Sequence, residues 1–376
     1  MSQHNLSQLM RTPLIREPKA STQLQRTIWS LPMLLLVFLL VMLGAELWLQ
    51  EAWSPVATVA HHGLWHWNNL TYAMLIPAPA ALIIWLGWLS WPKPKSRPHA
   101  VAFLQPLFIR YVTRGINNEA LNASLDDARQ LIKYWRLENY VHLQVVSDIP
   151  VDVPEDVDII VVPEHYHTPH ESLYKARALT YLQKVRPLED SSWALYLDEE
   201  SRITQSTLYG AATYMNRYQA SPSAPIGQGS ILYQGGPWFL QGADALRTAD
   251  DLGRFYLQYQ WGIPIFGIHG SFILVRADSD RAASFDVGPE NSITEDAAWA
   301  LKAWQDGQRF GWIDGWVIEQ PPARIRDFIK QRQRWLSGIK RVIRDRSLAW
   351  RYRIVLFVFA YLWQWSFLVI AITVWE

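Results

Sequence analysis

Asp198, Glu199 and Glu200 follow directly on the apolar run WALYL. Three carboxyl groups at the mouth of a buried strand are costly to desolvate without a cation. Hard oxygen ligands of this kind suit Mg²⁺ or Mn²⁺ bridging two phosphates; the same residues also read as an exposed acidic turn. Further on, Ser292-Ile293-Thr294-Glu295-Asp296 opens an amphipathic stretch, AAWALKAW. These acids either cap a helix N-terminus, the simpler reading on spacing alone, or hold one carboxylate in place as a general base. In QRQRW, residues Gln331, Arg334 and Trp335 share a helix face through i, i+3 and i+4 spacing. Arg neutralises a diphosphate and Trp stacks on a sugar ring; alternatively the basic helix lies on anionic lipid, and both can hold at once.

These groups need elements to position them. Short apolar runs at 107–113, 142–147, 157–162 and 193–197 read as strands, and 118–135, 171–184 and 204–218 as helices. The alternation predicts a mostly parallel α/β sheet. Ligands of open α/β sheets bind outside the carboxyl ends of the strands. Thr113-Arg114-Gly115, Asp148 and Asp198 all fall at such ends. His165, His167 and His170 do not match a zinc pattern on a helix, which Pro169 would break.

Composition narrows the classes. The 376 residues contain no cysteine, which excludes disulfides, thiolate metal sites and a cysteine nucleophile; the net charge of +1 implies no steering toward nucleic acid. The 21 tryptophans and 16 tyrosines suit bilayer interfaces and sugar rings. Apolar stretches at 31–49, 72–91 and 354–375 are long enough to cross a hydrocarbon core of ~30 Å. Pro77 and Pro79 in the second allow a re-entrant hairpin instead. Lys and Arg cluster before the first, after the second and before the third stretch, and are absent from 50–71. The positive-inside rule then puts the N-terminus and the middle region on the cytoplasmic side of a multi-pass membrane protein. The glycosylation sequon at Asn69 would face the opposite side, too close to the membrane to be used.

Taken together, Asp148, the acidic cluster at Asp198, Thr294-Glu295-Asp296 and Gln331-x-x-Arg334-Trp335 follow the motif order of family 2 glycosyltransferases. The segments RYVTRG, YKARAL, LDEES, GQG, HGSFILV, FDVGPENSITEDAAWAL and DFIKQRQRWLSGI resemble the egghead-type β-1,4-mannosyltransferases over about residues 108–339. The resemblance implies a GT-A fold and an inverting single displacement. It implies that Asp296 is the base, that Asp148 meets the nucleoside, and that Asp198 and Glu200 hold Mg²⁺ or Mn²⁺. Thr113, Arg114, Lys175, Arg177, Gln331, Arg334 and Trp335 would complete the donor site; Gly270, Ser271, Glu295 and again Trp335 would line the acceptor site. The donor would be a nucleotide-diphospho-sugar, GDP-mannose or a UDP-sugar, and the acceptor a lipid or glycolipid, glucosylceramide-type in the animal relatives.

The expected organisation is a cytoplasmic tail (1–27), two transmembrane helices (28–92), a GT-A catalytic domain (100–322), interfacial helices carrying QxxRW (323–352) and a third transmembrane helix (353–376). A processive polysaccharide synthase subunit, or a non-catalytic membrane scaffold or lipid-binding protein, are the alternatives. An intact set of acidic motifs counts against the second.

Overall fold

The computed structural model describes residues 102–288, 295–358 and 360. The apolar stretches at 31–49 and 72–91 lie outside the described residues, as does the third beyond 354–358 and 360. Among the described residues no helix is long and apolar enough to cross a membrane.

The sheet is built outward from β1 (Leu107–Thr113), in which every residue but Phe108 is buried. Such near-continuous burial belongs to a central strand covered on both faces. Parallel partners flank it: β2 (Val141–Ser147), with β3 (Asp158–Val161) beyond, and β4 (Trp193–Asp198) on the other side. Leu107, Ile109 and Tyr111 of β1 face one layer, formed by α1 (Asn118–Trp135) and α3 (Gln205–Ala220). Val112 faces the other, with Leu179 and Leu182 of α2 (Tyr174–Val185) and Trp299 of a later helix. Local signals set the helix ends. Asn117 caps α1 through its side chain, and Arg136 ends it in the left-handed conformation at φ 54. Thr204 and Thr207 cap α3 reciprocally. The observed β1 and α1 coincide with the predicted segments, and β2 and β4 each gain one residue.

Past β4 the sheet departs from the mostly parallel expectation. β5 (Arg202–Ile203) is a two-residue edge strand, and β6 (Ile226–Tyr233) is separated from β4 by β7 (Ile273–Arg276), antiparallel to both. β8 (Phe310–Glu319) pairs in parallel with β6 and antiparallel with β5. The reversal rests on a four-residue strand whose pattern is too short to register as a period. Between β6 and β7 lie α4 (Trp238–Asp250), one π-helical turn (Asp251–Phe255) and α5 (Tyr256–Gln260). Then follow α6 (Ala277–Ala282), α7 (Glu295–Gln305), α8 (Ile325–Arg344) and a helix from 350. The far end of α8 packs Val342 and Ile343 on Ala298 and Leu301 of α7.

A charged side chain of the central strand is among those buried in this framework. Arg110 of β1 is 1% exposed. Its Nε donates to Gln144 Oε1 at 2.9 Å, its Nη2 to the Arg186 carbonyl at 2.7 Å, and its Nη1 to the Tyr196 hydroxyl at 3.0 Å. Asp280 of α6 balances it at 3.5 Å and accepts from Tyr196 at 2.6 Å and Gln183 at 3.1 Å. Burial pushes the Asp280 carboxyl up, and Arg110 opposes that shift. The network joins β1, β2, β4, α2 and α6. Replacing Asp280 with Ala strands a buried guanidinium and should cost about 3–5 kcal/mol in urea unfolding. Arg110→Met combined with Asp280→Leu should cost less than the sum of the single changes; additive losses would show that the pair is not coupled.

Candidate active site

Because β7 runs antiparallel to both β4 and β6, strands β1, β2, β4, β6 and β8 all end at one edge of the sheet. That edge collects Thr113, Asp148, Asp198 and Glu319. Gly270 and Ser271 reach it from the loop entering β7, and Asp296 from the first turn of α7.

Gly270 is the point of convergence. A Cβ built there would lie 3.3 Å from Asp296 Oδ2, 3.5 Å from Lys175 Nζ and 4.0 Å from Asp198 Oδ2. The Lys175 ammonium donates to Asp198 and to the Gly270 carbonyl. The Asp198 amide donates to the Ser271 hydroxyl at 3.3 Å; that hydroxyl lies 2.6 Å from Ser201, which donates to Glu319 Oε1 at 2.5 Å. Two aromatic residues with positive φ flank these groups: Tyr174 (49°) before Lys175 and Phe272 (57°) after Ser271. Bulky residues pay strain in that region, which collects at functional sites. Gly229 leaves room for the Phe272 ring, since a Cβ there would come within 2.1 Å of it.

Burial, with the charge of Asp198 added, raises three carboxyls at this edge. Burial is the first cause at Asp296; the bond from the Ala297 amide (2.8 Å), Lys175 and His269 partly offset it. Glu319 is pushed up by burial and by Asp198. Burial, then Asp198 and Glu319, push the Glu200 carboxyl up to about 8. Glu199 accepts a hydrogen bond from Thr113, and the charge of Asp198 acts on both glutamates. Among the described residues no group of three His, Cys, Asp or Glu forms a ready metal cage. Asp198 and Glu200, two residues apart at the end of β4 and with the charge of Asp198 acting on Glu200, are the two hard oxygen ligands that could hold a cation.

The remaining predicted residues divide. Asp148 is held by Arg177 at 2.7 Å, and Arg177 Nη1 also reaches the Glu164 and Tyr166 carbonyls at 3.4 Å. Arg114 lies over the Tyr174 ring at 4.7 Å. Glu295 opens α7, but its side chain lies outside the described residues, with 289–294. His165, His167 and His170 lie in the loop before α2, where the His170 amide donates to Asp286 at 3.1 Å. On α8, Arg334 is exposed and Gln331 and Trp335 are half-buried. The guanidinium groups that lie over Trp335 are those of Arg332 (4.2 Å) and Arg247 of α4 (4.3 Å). Asp244 pairs with both. Arg247 also acts on Glu319, which ties α8 to the carboxylate edge. Arg247, Asp244 and Glu319 carry no motif of their own. Only Arg332, inside QRQRW, stood beside a signal.

Known proteins are similar. The family description "Glycosyl transferase family group 2" matches residues 193–375. The chain is 32% identical over 263 residues to Beta-1,4-mannosyltransferase egh of Drosophila melanogaster, covering 68% of this chain and 56% of that relative. It thus spans little more than half of that relative's length. It is 29% identical over 328 residues to Beta-1,4-mannosyltransferase bre-3 of Caenorhabditis briggsae, covering 83% of this chain and 71% of the relative. Its fold is similar to mannosyltransferase PcManGT from Pyrobaculum calidifontis, in complex with GDP-Man and Mn²⁺, with TM-score 0.50, 18% identity and coverage of 85% and 84% of the two chains. The GT-A architecture expected from the motifs is therefore present.

The crowded carboxylates predict a pH dependence. With its folded value raised to about 8, Glu200 keeps a proton that the unfolded chain, at about 4.3, releases. Its contribution to stability is full below the unfolded value and is lost as pH rises through the folded one. The urea midpoint of the protein should fall between about pH 4 and pH 8, and Glu200→Gln should flatten that fall. A wild-type profile as flat as the variant's would contradict the assignment.

Proposed function

We propose that this chain, a family 2 glycosyltransferase of GT-A fold resembling the egghead-type β-1,4-mannosyltransferases, moves mannose from GDP-mannose to a hydroxyl of a lipid-linked or membrane-proximal acceptor. The observation that carries this reading is the convergence of Asp296, Lys175 and Asp198 on Gly270. The mannosyltransferase names of the relatives and the GDP-Man and Mn²⁺ bound by the Pyrobaculum protein support the choice of donor.

In this reading Asp296 takes the proton of the acceptor hydroxyl. The freed oxygen attacks the anomeric carbon from the face opposite the diphosphate. The bond to the diphosphate breaks with its electron pair, through an oxocarbenium-like state, and the configuration inverts. Asp198 and Glu200 would hold Mg²⁺ or Mn²⁺, which supplies positive charge to the departing diphosphate. Lys175, already bonded to Asp198, adds a second charge at the same edge. Asp148, held by Arg177, faces the nucleoside; Thr113 and Arg114 lie at the neighbouring strand end. Gly270 and Ser271 border the acceptor, while Gln331, Arg334 and Trp335 close over donor and acceptor from α8. The apolar stretches and their basic flanks support an integral membrane protein with this domain on the cytoplasmic side.

Purified protein in lipid nanodiscs, given GDP-mannose, UDP-glucose, UDP-galactose and UDP-N-acetylglucosamine in turn with Mn²⁺ and a membrane-lipid extract, should label lipid only from GDP-mannose. Label in an ethanol-insoluble polymer would favour a polysaccharide synthase, and no transfer from any donor would favour a scaffold. Asp296→Asn should lower turnover by about 10²–10⁴-fold while GDP binding stays near that of the wild type. Asp198→Ala should weaken Mn²⁺-dependent GDP binding in calorimetry. Near-normal turnover in Asp296→Asn would remove it from the role of base.

A further inference from the structure

Helices α4 and α8 start side by side. The parallel strands β6 and β8 that feed them pair as far as Tyr233 and Glu319, and the Gln234 amide donates to the Glu319 carbonyl at 2.9 Å. A Cβ built on Gly236 would lie 3.2 Å from Cγ of Pro321. The two helices then run in the same direction. Asp244 of α4 meets Arg332 of α8, and one turn further along both, Arg247 lies over the Trp335 ring. Their first turns therefore leave together from the sheet edge that carries Asp198 and Glu319.

These first turns expose what the sheet and its helices elsewhere bury. Trp238 is 83% exposed and Phe239 42%, and the two rings meet edge-on with centroids 5.8 Å apart. On α8, Ile325 and Ile329 are 54% and 48% exposed. They stand four residues apart on the stripe that further along carries Arg332 to Asp244. Large apolar side chains gathered in this way mark an interaction site, whereas single exposed ones do not. Arg324, Arg326 and Lys330 are exposed around them, against one acid of that turn, Asp327. A second copy of this face would bring its cations onto these. Aromatic rings among cations match instead the boundary of an anionic bilayer, where the rings sit at headgroup level and the cations meet phosphate. Past the far end of α8 the chain passes exposed Arg344, Arg346 and Trp350 before the apolar stretch at 354–375.

We propose that the paired starts of α4 and α8 are one docking face for an anionic lipid surface: Trp238, Phe239, Ile325 and Ile329 enter the headgroup–acyl boundary, and Arg324, Arg326 and Lys330 meet the lipid phosphates. Because both helices leave from the carboxylate edge, this face turns that edge toward the bilayer. The docking does not depend on which group the site transfers.

The chain has no cysteine, so a single introduced thiol can be labelled cleanly. The test uses the full chain in nanodiscs of phosphatidylcholine and phosphatidylserine, with an environment-sensitive fluorophore on Trp238→Cys, on Ile329→Cys or, as the control, on Tyr134→Cys. Tyr134 is exposed near the end of α1, at the opposite edge of the sheet. The labels at 238 and 329 should lose about half of their emission or more to nitroxide-bearing lipid and little to aqueous iodide; the label at 134 should show the reverse. Trp238→Ser combined with Phe239→Ser should open the label at 329 to iodide. Phosphatidylcholine alone, or Arg326→Gln with Lys330→Gln, should lessen the quenching by lipid. Iodide quenching at 238 and 329 equal to that at 134 overturns the inference. So does protection from both quenchers, which would mean that protein covers the face. Lipid quenching that ignores both phosphatidylserine and the two cations overturns the anionic preference. None of these outcomes bears on the transfer chemistry.

Discussion

Asp198, Glu200, Asp296 and Glu319 gather at one edge of the sheet, where burial first, and the charge of Asp198 in addition, push the other three carboxyls up. The Lys175 ammonium, bonded to Asp198 and to the Gly270 carbonyl, places a positive charge within this cluster. Much of the neighbouring architecture follows from that constraint. Helix α2 has to start where it does, through Tyr174 at positive φ, for Lys175 to reach across to β4. A side chain at 270 would crowd Asp296 and enter the space between it and Lys175. The strain at Phe272 is tolerated because Gly229 yields it room.

Beneath the charged edge lies a second polar network of opposite character. Arg110 and Asp280 are sealed in the layer between sheet and helices, with hydrogen bonds spread over Gln144, Tyr196, Gln183 and Arg186. Buried ion pairs of this kind add little net stability over apolar replacements, yet losing one partner is costly. Such a network therefore specifies the register of β1, β2 and β4 more than it strengthens them. Thr113, Asp148 and Asp198 project from the ends of those strands, so their relative positions depend on that register.

Helix α8 contributes differently. Its C-terminal half is packed on α7, while Arg332 near its middle is bonded to Asp244 of α4. Trp335 lies under both Arg332 and Arg247, and Arg247 acts in turn on Glu319.

The amino-acid sequence alone determined the elements whose residues carry a period long enough to read. LFIRYVT is apolar enough for a central strand, and the helix after it runs from Asn117 to the turn at Arg136. Asp148 and Asp198 were legible because they stand where apolar strands stop, and Asp296 because its motif recurs in a known order. Only the tertiary structure decided what joins these elements across long separations. β7 is four residues long, too short for a pattern, yet its antiparallel insertion brings Gly270 and Ser271 to the site. Residue spacing on α8 allowed Arg334 to share a face with Trp335, but packing against α4 put Arg332 over the ring instead. The pairing of His269 with Asp251 spans 18 residues and a π-helical turn. Local propensity acts over a turn of helix or a few strand residues; contacts such as these are selected by the packing of whole elements.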